Sequence, residues 1–67
     1  MDSQEAKNGL ITNEFQLHVE IAKTGYEISS KAAREIVKAK GAQLIDGVLH
    51  YSSEAVRILV KRGVRKL

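Results

Sequence analysis

The 67 residues hold one domain, close to the size below which a chain rarely buries enough apolar surface to fold without staples. The absence of cysteine excludes disulfides and thiolate metal sites and fits a reducing setting. Eleven Lys and Arg against eight Asp and Glu give a formal net charge of +3, and no apolar run approaches the roughly 20 residues of a membrane span.

Residues 1–12 are polar and small, with Asn8-Gly9 as a turn signal and no sustained period. They are expected to form a flexible N-terminal arm ahead of a single compact domain at 13–67. The opening Met-Asp-Ser-Gln-Glu has neither the basic start nor the apolar stretch of a secretory signal, so a cytoplasmic location without membrane attachment is expected.

The segment at about 14–24 admits two readings. Phe15, Leu17, Val19 and Ile21 alternate with Gln16, His18 and Glu20, the period of a half-buried strand, and on periodicity alone a strand is favoured. As a helix it would be capped by Thr12 or Asn13 and ended by Gly25. Phe15, Val19 and Ala22 would then lie on one side and Leu17 with Ile21 on the other, leaving it apolar on two faces.

The rest of the chain is punctuated more plainly. ISSKAAREIVKAKGA from Ile28 and YSSEAVRILVKRGV from Tyr51 share one grammar: an apolar residue, two serines, a helix-forming body, late cations and a glycine. A serine hydroxyl caps the first N–H groups, cations offset the negative dipole end, and glycine takes the left-handed position after the last turn. This predicts helices over about 30–40 and 53–62. Ala32, Ala33, Ile36 and Val37 form the apolar stripe of the first, with the Lys40 stem beside it and Lys31, Arg34, Glu35 and Lys38 toward water. Ala55, Val56, Leu59 and Val60 are the expected stripe of the second, with Arg57, Lys61 and Arg62 outside. Between them, Asp46-Gly47 separates two short β-prone runs and predicts a hairpin of 42–45 with 48–51 about a type I′ turn. The expected fold is a small α+β domain with two amphipathic helices flanking a hairpin at about 42–51. It is winged-helix-like if 14–24 is helical, and a sheet with a last strand at Val64 to Leu67 if 14–24 is a strand.

Few residues suggest chemistry. His18 and His50, the two imidazoles, lie far apart without partners at metal-ligand spacing. The serine pairs are accounted for by capping, and the glycines form no phosphate-cradling run. No catalysis, metal, cofactor or small-molecule substrate is expected. Tyr26 and Tyr51 flank turns, where they either pack at an element's edge or stack on bases.

Charge is the stronger signal. Asp2, Glu5, Glu14, Glu20 and Glu27 dominate the first 28 residues, whereas no acid follows Glu54 and Arg57, Lys61, Arg62, Arg65 and Lys66 do. Lys31, Arg34, Lys38, Lys40, Arg57, Lys61, Arg62 and Arg65 are therefore the candidate phosphate-binding residues.

Two families share features with these segments. ISSKAAREIVKAKG, LIDGVLHY and SSEAVRIL resemble the recognition helix, wing and closing helix of excisionase-type winged helix-turn-helix proteins. That resemblance implies Lys31, Arg34 and Lys38 in a DNA major groove and the hairpin on backbone or minor groove. The stretch LHVEIAKTGYEISSKAAREIVKAKGAQLIDG is also similar to the RNA-binding alpha-L motif of tyrosyl-tRNA synthetase tails, pseudouridine synthases and a ribosomal protein. Leu17, Ile21, Gly25, Ser29, Ala33, Arg34 and Val37 match without a gap, and one inserted residue precedes Ile45, Asp46 and Gly47. Both resemblances require a helix at 14–24. The expected function is non-enzymatic nucleic-acid binding, with a DNA-binding regulatory or architectural role ahead of an RNA-binding one. A protein-interaction or dimerisation module is the further alternative, and a homodimer is compatible with a chain of this size.

Overall fold

The computed structural model describes residues 8–67, with the side chain of Arg62 outside the description. Its elements run β1 (Gly9–Leu10), α1 (Glu14–Lys23), β2 (Tyr26–Ile28), α2 (Ser30–Lys38), β3 (Ala42–Ile45), β4 (Val48–Tyr51), α3 (Ser53–Arg62) and β5 (Val64–Lys66). This is an α+β domain with two small antiparallel sheets, one ordered β1-β3-β4 and the other β2-β5.

The alternating segment is a helix. Asn13 is extended and its side chain accepts a hydrogen bond from the Gln16 N–H at 3.1 Å, which starts α1, and Gly25 at φ +91° lies beyond its end. The favoured strand reading failed because an i, i+2, i+4, i+6 series also contains i, i+4 pairs. Leu17 and Ile21 form such a pair and are fully buried, while Phe15 remains 75% exposed. The anticipated helix with two apolar faces is what the segment adopts, one face packed and the other left to water.

The expected arm also needs revision. Gly9 and Leu10 pair with Leu44 and Gln43 of β3, the Ile11 N–H donates to the Ala42 carbonyl, and the Ile11 side chain is buried in the core. Residues 9–11 therefore belong to the fold. Residues 1–7 of that expected arm lie outside the described residues.

Ser29 and Ser52 cap α2 and α3 by accepting hydrogen bonds from the N–H groups of Ala32 and Ala55. The hairpin forms at 42–45 and 48–51 with Asp46 and Gly47 both at positive φ, the signature of the type I′ turn. The end of α2 comes earlier than expected. The helix α2 ends at Lys38 rather than about 40, and the left-handed residue after it is Lys40 (φ 56°), not Gly41. Lys40 and Gly41 donate back to the carbonyls of Val37 and Ile36, a Schellman closure. A non-glycine residue in that conformation costs on the order of 1 kcal/mol.

Gly41 is kept small by crowding instead. A Cβ there would lie 2.8 Å from the Ala55 Cβ and 2.9 Å from the Ser52 Oγ. The Ser52 N–H also donates to the Gly41 carbonyl at 2.8 Å, so the end of α2 meets the start of α3. At the other end, Ile28 before α2 pairs with Val64 after α3, which makes the two helices antiparallel neighbours. Ala32, Ala33, Ile36, Ala55 and Ile58 join Leu17, Ile21, Ile28 and Leu44 in one core. Gly41→Ala is expected to destabilise the domain by about 1–3 kcal/mol through overpacking, read as a lower midpoint in urea at unchanged slope. An unchanged midpoint would contradict this close approach.

Candidate nucleic-acid interface

Helical periodicity sorts α2 into two faces. Ala32, Ala33 and Ile36 are buried, and Lys31, Arg34 and Lys38, spaced i, i+3, i+7, stand on the opposite, exposed side. Lys40 follows, also exposed, just past the Schellman turn. This is the row that the sequence singles out.

The second helix departs from expectation. Its buried stripe is Ala55 and Ile58 with Leu59 half-buried, while Val56 and Val60 are 48% and 80% exposed. The stripe is turned because α3 packs on α2 through Ala55, beside Gly41, which brings Ile58 inward one turn later. Arg57 and Lys61 are exposed as expected, but they share the outer face with two valines, whereas the outer face of α2 carries Lys31, Arg34 and Lys38 with Glu35 beside them. The Arg62 side chain lies outside the described residues. Because the helices are antiparallel, Lys61 sits at the end of α3 nearest the Lys31 end of α2, and Lys38 and Lys40 lie toward the start of α3.

Among the candidate cations, the described arginines are paired. Arg34 Nε lies 3.5 Å from Glu14 Oε2, Arg57 Nη1 lies 3.9 Å from Glu54 Oε1, and Arg65 Nη2 lies 2.6 Å from Glu27 Oε2. Arg65 also donates from Nε to the same oxygen at 3.2 Å, and that hydrogen bond, then the Glu27 charge, holds the guanidinium above its usual value. Lys31, Lys38, Lys40, Lys61 and Lys66 carry no ion pair among the described residues. Exposed pairs of this kind are weak, so the arginines can exchange a carboxylate for a phosphate at small cost. Lys31, Lys38 and Lys40 need no exchange.

Beyond the end of α2 lies a small polar cleft of about 220 Å³, lined by Lys40, Gln43, His50, Tyr51 and Ser52. Gln43 and His50 are direct cross-strand partners on the exposed face of the hairpin. Their pairing follows from the two-residue Asp46-Gly47 turn, so the register was available from sequence although the cleft was not anticipated. His18 is half-buried on α1, away from it.

Among the described residues no group of His, Asp and Glu is arranged to hold a metal ion, and no helix is long and apolar enough to cross a membrane. No protein-family model matches the chain, and neither a curated protein nor a solved structure matches it.

Proposed function

We propose that this chain is a small, non-enzymatic nucleic-acid-binding module that grips phosphates with the outer face of α2. The observation carrying this reading is the row of Lys31, Arg34 and Lys38 opposite the buried Ala32, Ala33 and Ile36, continued by Lys40, with its lysines free of ion pairs among the described residues. Such a face attracts polyanions by Coulomb force and gains from the counterions they release. Tethering by Arg34 adds a planar donor suited to phosphate.

Two nucleic acids fit the helix-helix-hairpin order. In the DNA reading α2 enters a major groove with the hairpin on the backbone. The connection between α1 and α2 favours RNA: residues 24–29 separate the helices and contain β2, whereas a helix-turn-helix joins them by a turn of about 3–4 residues. The alpha-L resemblance spans that same connection, with Gly25 and Ser29 among its matched positions. Structured RNA is therefore the expected partner. In a mobility-shift competition, an RNA hairpin should displace a labelled DNA duplex of equal length at a lower concentration than unlabelled duplex does. Preference for the duplex would return the reading to DNA, and failure to bind either would end it.

A further inference from the structure

The end of α1, β2, the hairpin, α3 and β5 enclose a groove of about 580 Å³ to which α2 contributes no lining residue. That volume falls within the roughly 300–1,000 Å³ of small-ligand sites. Its aliphatic walls include Ile21, Leu49, Leu59 and Val64, and the rings of Tyr26 and Tyr51 line it while remaining 41% and 37% exposed. Partial burial pushes the Tyr51 phenol above its usual value.

Other polar groups along the groove are already engaged. Lys23 Nζ pairs with Glu20 Oε2 at 3.3 Å, and the Thr24 hydroxyl donates to the Ile21 carbonyl at 2.6 Å. What remains is an apolar groove lined in part by two tyrosines. Its charge comes from a third residue. In the β2–β5 pair Tyr26 lies opposite Lys66 and Ile28 opposite Val64, so Tyr26, Val64 and Lys66 share one face of that sheet. Lys66 is exposed and carries no ion pair among the described residues. Glu20 and Lys23 pair with each other on the groove's lining, and Lys66, itself outside that lining, lies beside Tyr26 on the same sheet face as the cation nearest the ring.

A planar apolar group joined to an anion matches that arrangement, and a nucleotide has both parts. We infer that the groove takes one unpaired base of a bound nucleic acid, stacked against Tyr26 and Tyr51, with its phosphate on Lys66. This deepens the nucleic-acid reading and rests on it. Stacking is tolerant of base identity because every base has a π-face, so discrimination here is between unpaired and paired bases. The free lysine favours this occupant over an apolar peptide or a second copy of the chain.

The test uses an RNA hairpin with 2-aminopurine in its loop, and the same strand annealed to its full complement so that this base is paired. The wild-type chain should change 2-aminopurine fluorescence in the hairpin only. Tyr26→Leu and Tyr51→Leu should each weaken hairpin binding about five- to a hundredfold and leave duplex binding unchanged. Tyr26→Phe, which keeps the ring, should bind like the wild type. Leucine variants that bind both RNAs normally, or lose both equally, overturn the groove assignment while leaving the α2 reading in place. Equal losses in Tyr26→Phe and Tyr26→Leu also overturn it, as does a dimer in sedimentation that the leucine variants abolish. A wild-type chain that binds neither RNA removes the RNA reading on which this inference rests.

Discussion

Replacing Lys31, Lys38 and Lys40 together by alanine is expected to lower affinity for a structured RNA by on the order of a hundredfold at 0.1 M salt. Each lysine that contacts a phosphate contributes about 0.7 to 0.9 to the slope of log affinity against log salt, so the triple variant should lose about 2 to 3 of that slope. All three side chains are exposed and carry no ion pair among the described residues, so stability should stay within about 0.5 kcal/mol of the wild type. The triple arginine variant keeps the charge and should retain the slope. Adding Arg34→Ala should weaken binding further, by less than a lysine does, because the wild-type Arg34 must first give up its pairing with Glu14, 3.5 Å away. An alanine variant with an unchanged slope would show that phosphates are held elsewhere.

The second large effect concerns the fold. Leu17→Ala should destabilise the domain by about 2–5 kcal/mol, since its side chain is fully buried beside Ile21 and its removal leaves a cavity. For a domain whose single core rarely supplies more than about 3–5 kcal/mol, that leaves the chain largely unfolded. Phe15→Ala, two residues earlier, should change stability by less than about 0.5 kcal/mol, because Phe15 is 75% exposed. Denaturant unfolding of the two variants distinguishes the helix from the strand. A strand would place Phe15, Leu17, Val19 and Ile21 on one face and make both substitutions costly.

That contrast shows where the sequence was readable. The hairpin and α3 were legible to the residue, because Asp-Gly, the serine caps and the glycine at 63 act over three or four residues and depend little on what packs against them. The alternating segment was not, because its spacing satisfies both periods. The choice between them is made by tertiary contact: Leu17 and Ile21 share a face in either period, and only the helix buries them while turning Phe15 and Val19 to water. The stripe of α3 was misplaced for the same kind of reason. Val56 and Val60 are as apolar as the residues that are buried, and the close approach of Ala55 to Gly41 decides which face turns inward. The position of Ile11 depends on a two-residue strand pairing with β3 more than thirty residues away, and no local period announces it.

For the candidate site, the α2 row was readable because three cations at i, i+3, i+7 fall opposite three apolar residues under a single period. The carboxylate partners of Arg34 and Arg65 were not, since Glu14 and Glu27 reach them through the packing of α1 on α2 and of β2 on β5. The groove was hidden as well. Tyr26 and Tyr51 lie 25 positions apart and line one groove only because the fold brings β2, β4 and the end of α1 around it.

The measurement that bears most directly on nucleic-acid binding by α2 is the affinity of the wild-type chain for an RNA hairpin between 50 and 200 mM salt. With the three lysines and Arg34 on phosphates, log affinity should fall linearly with log salt at a slope of about −3, a loss of roughly fiftyfold across that range. Absent binding, or an affinity that does not change with salt, would contradict it.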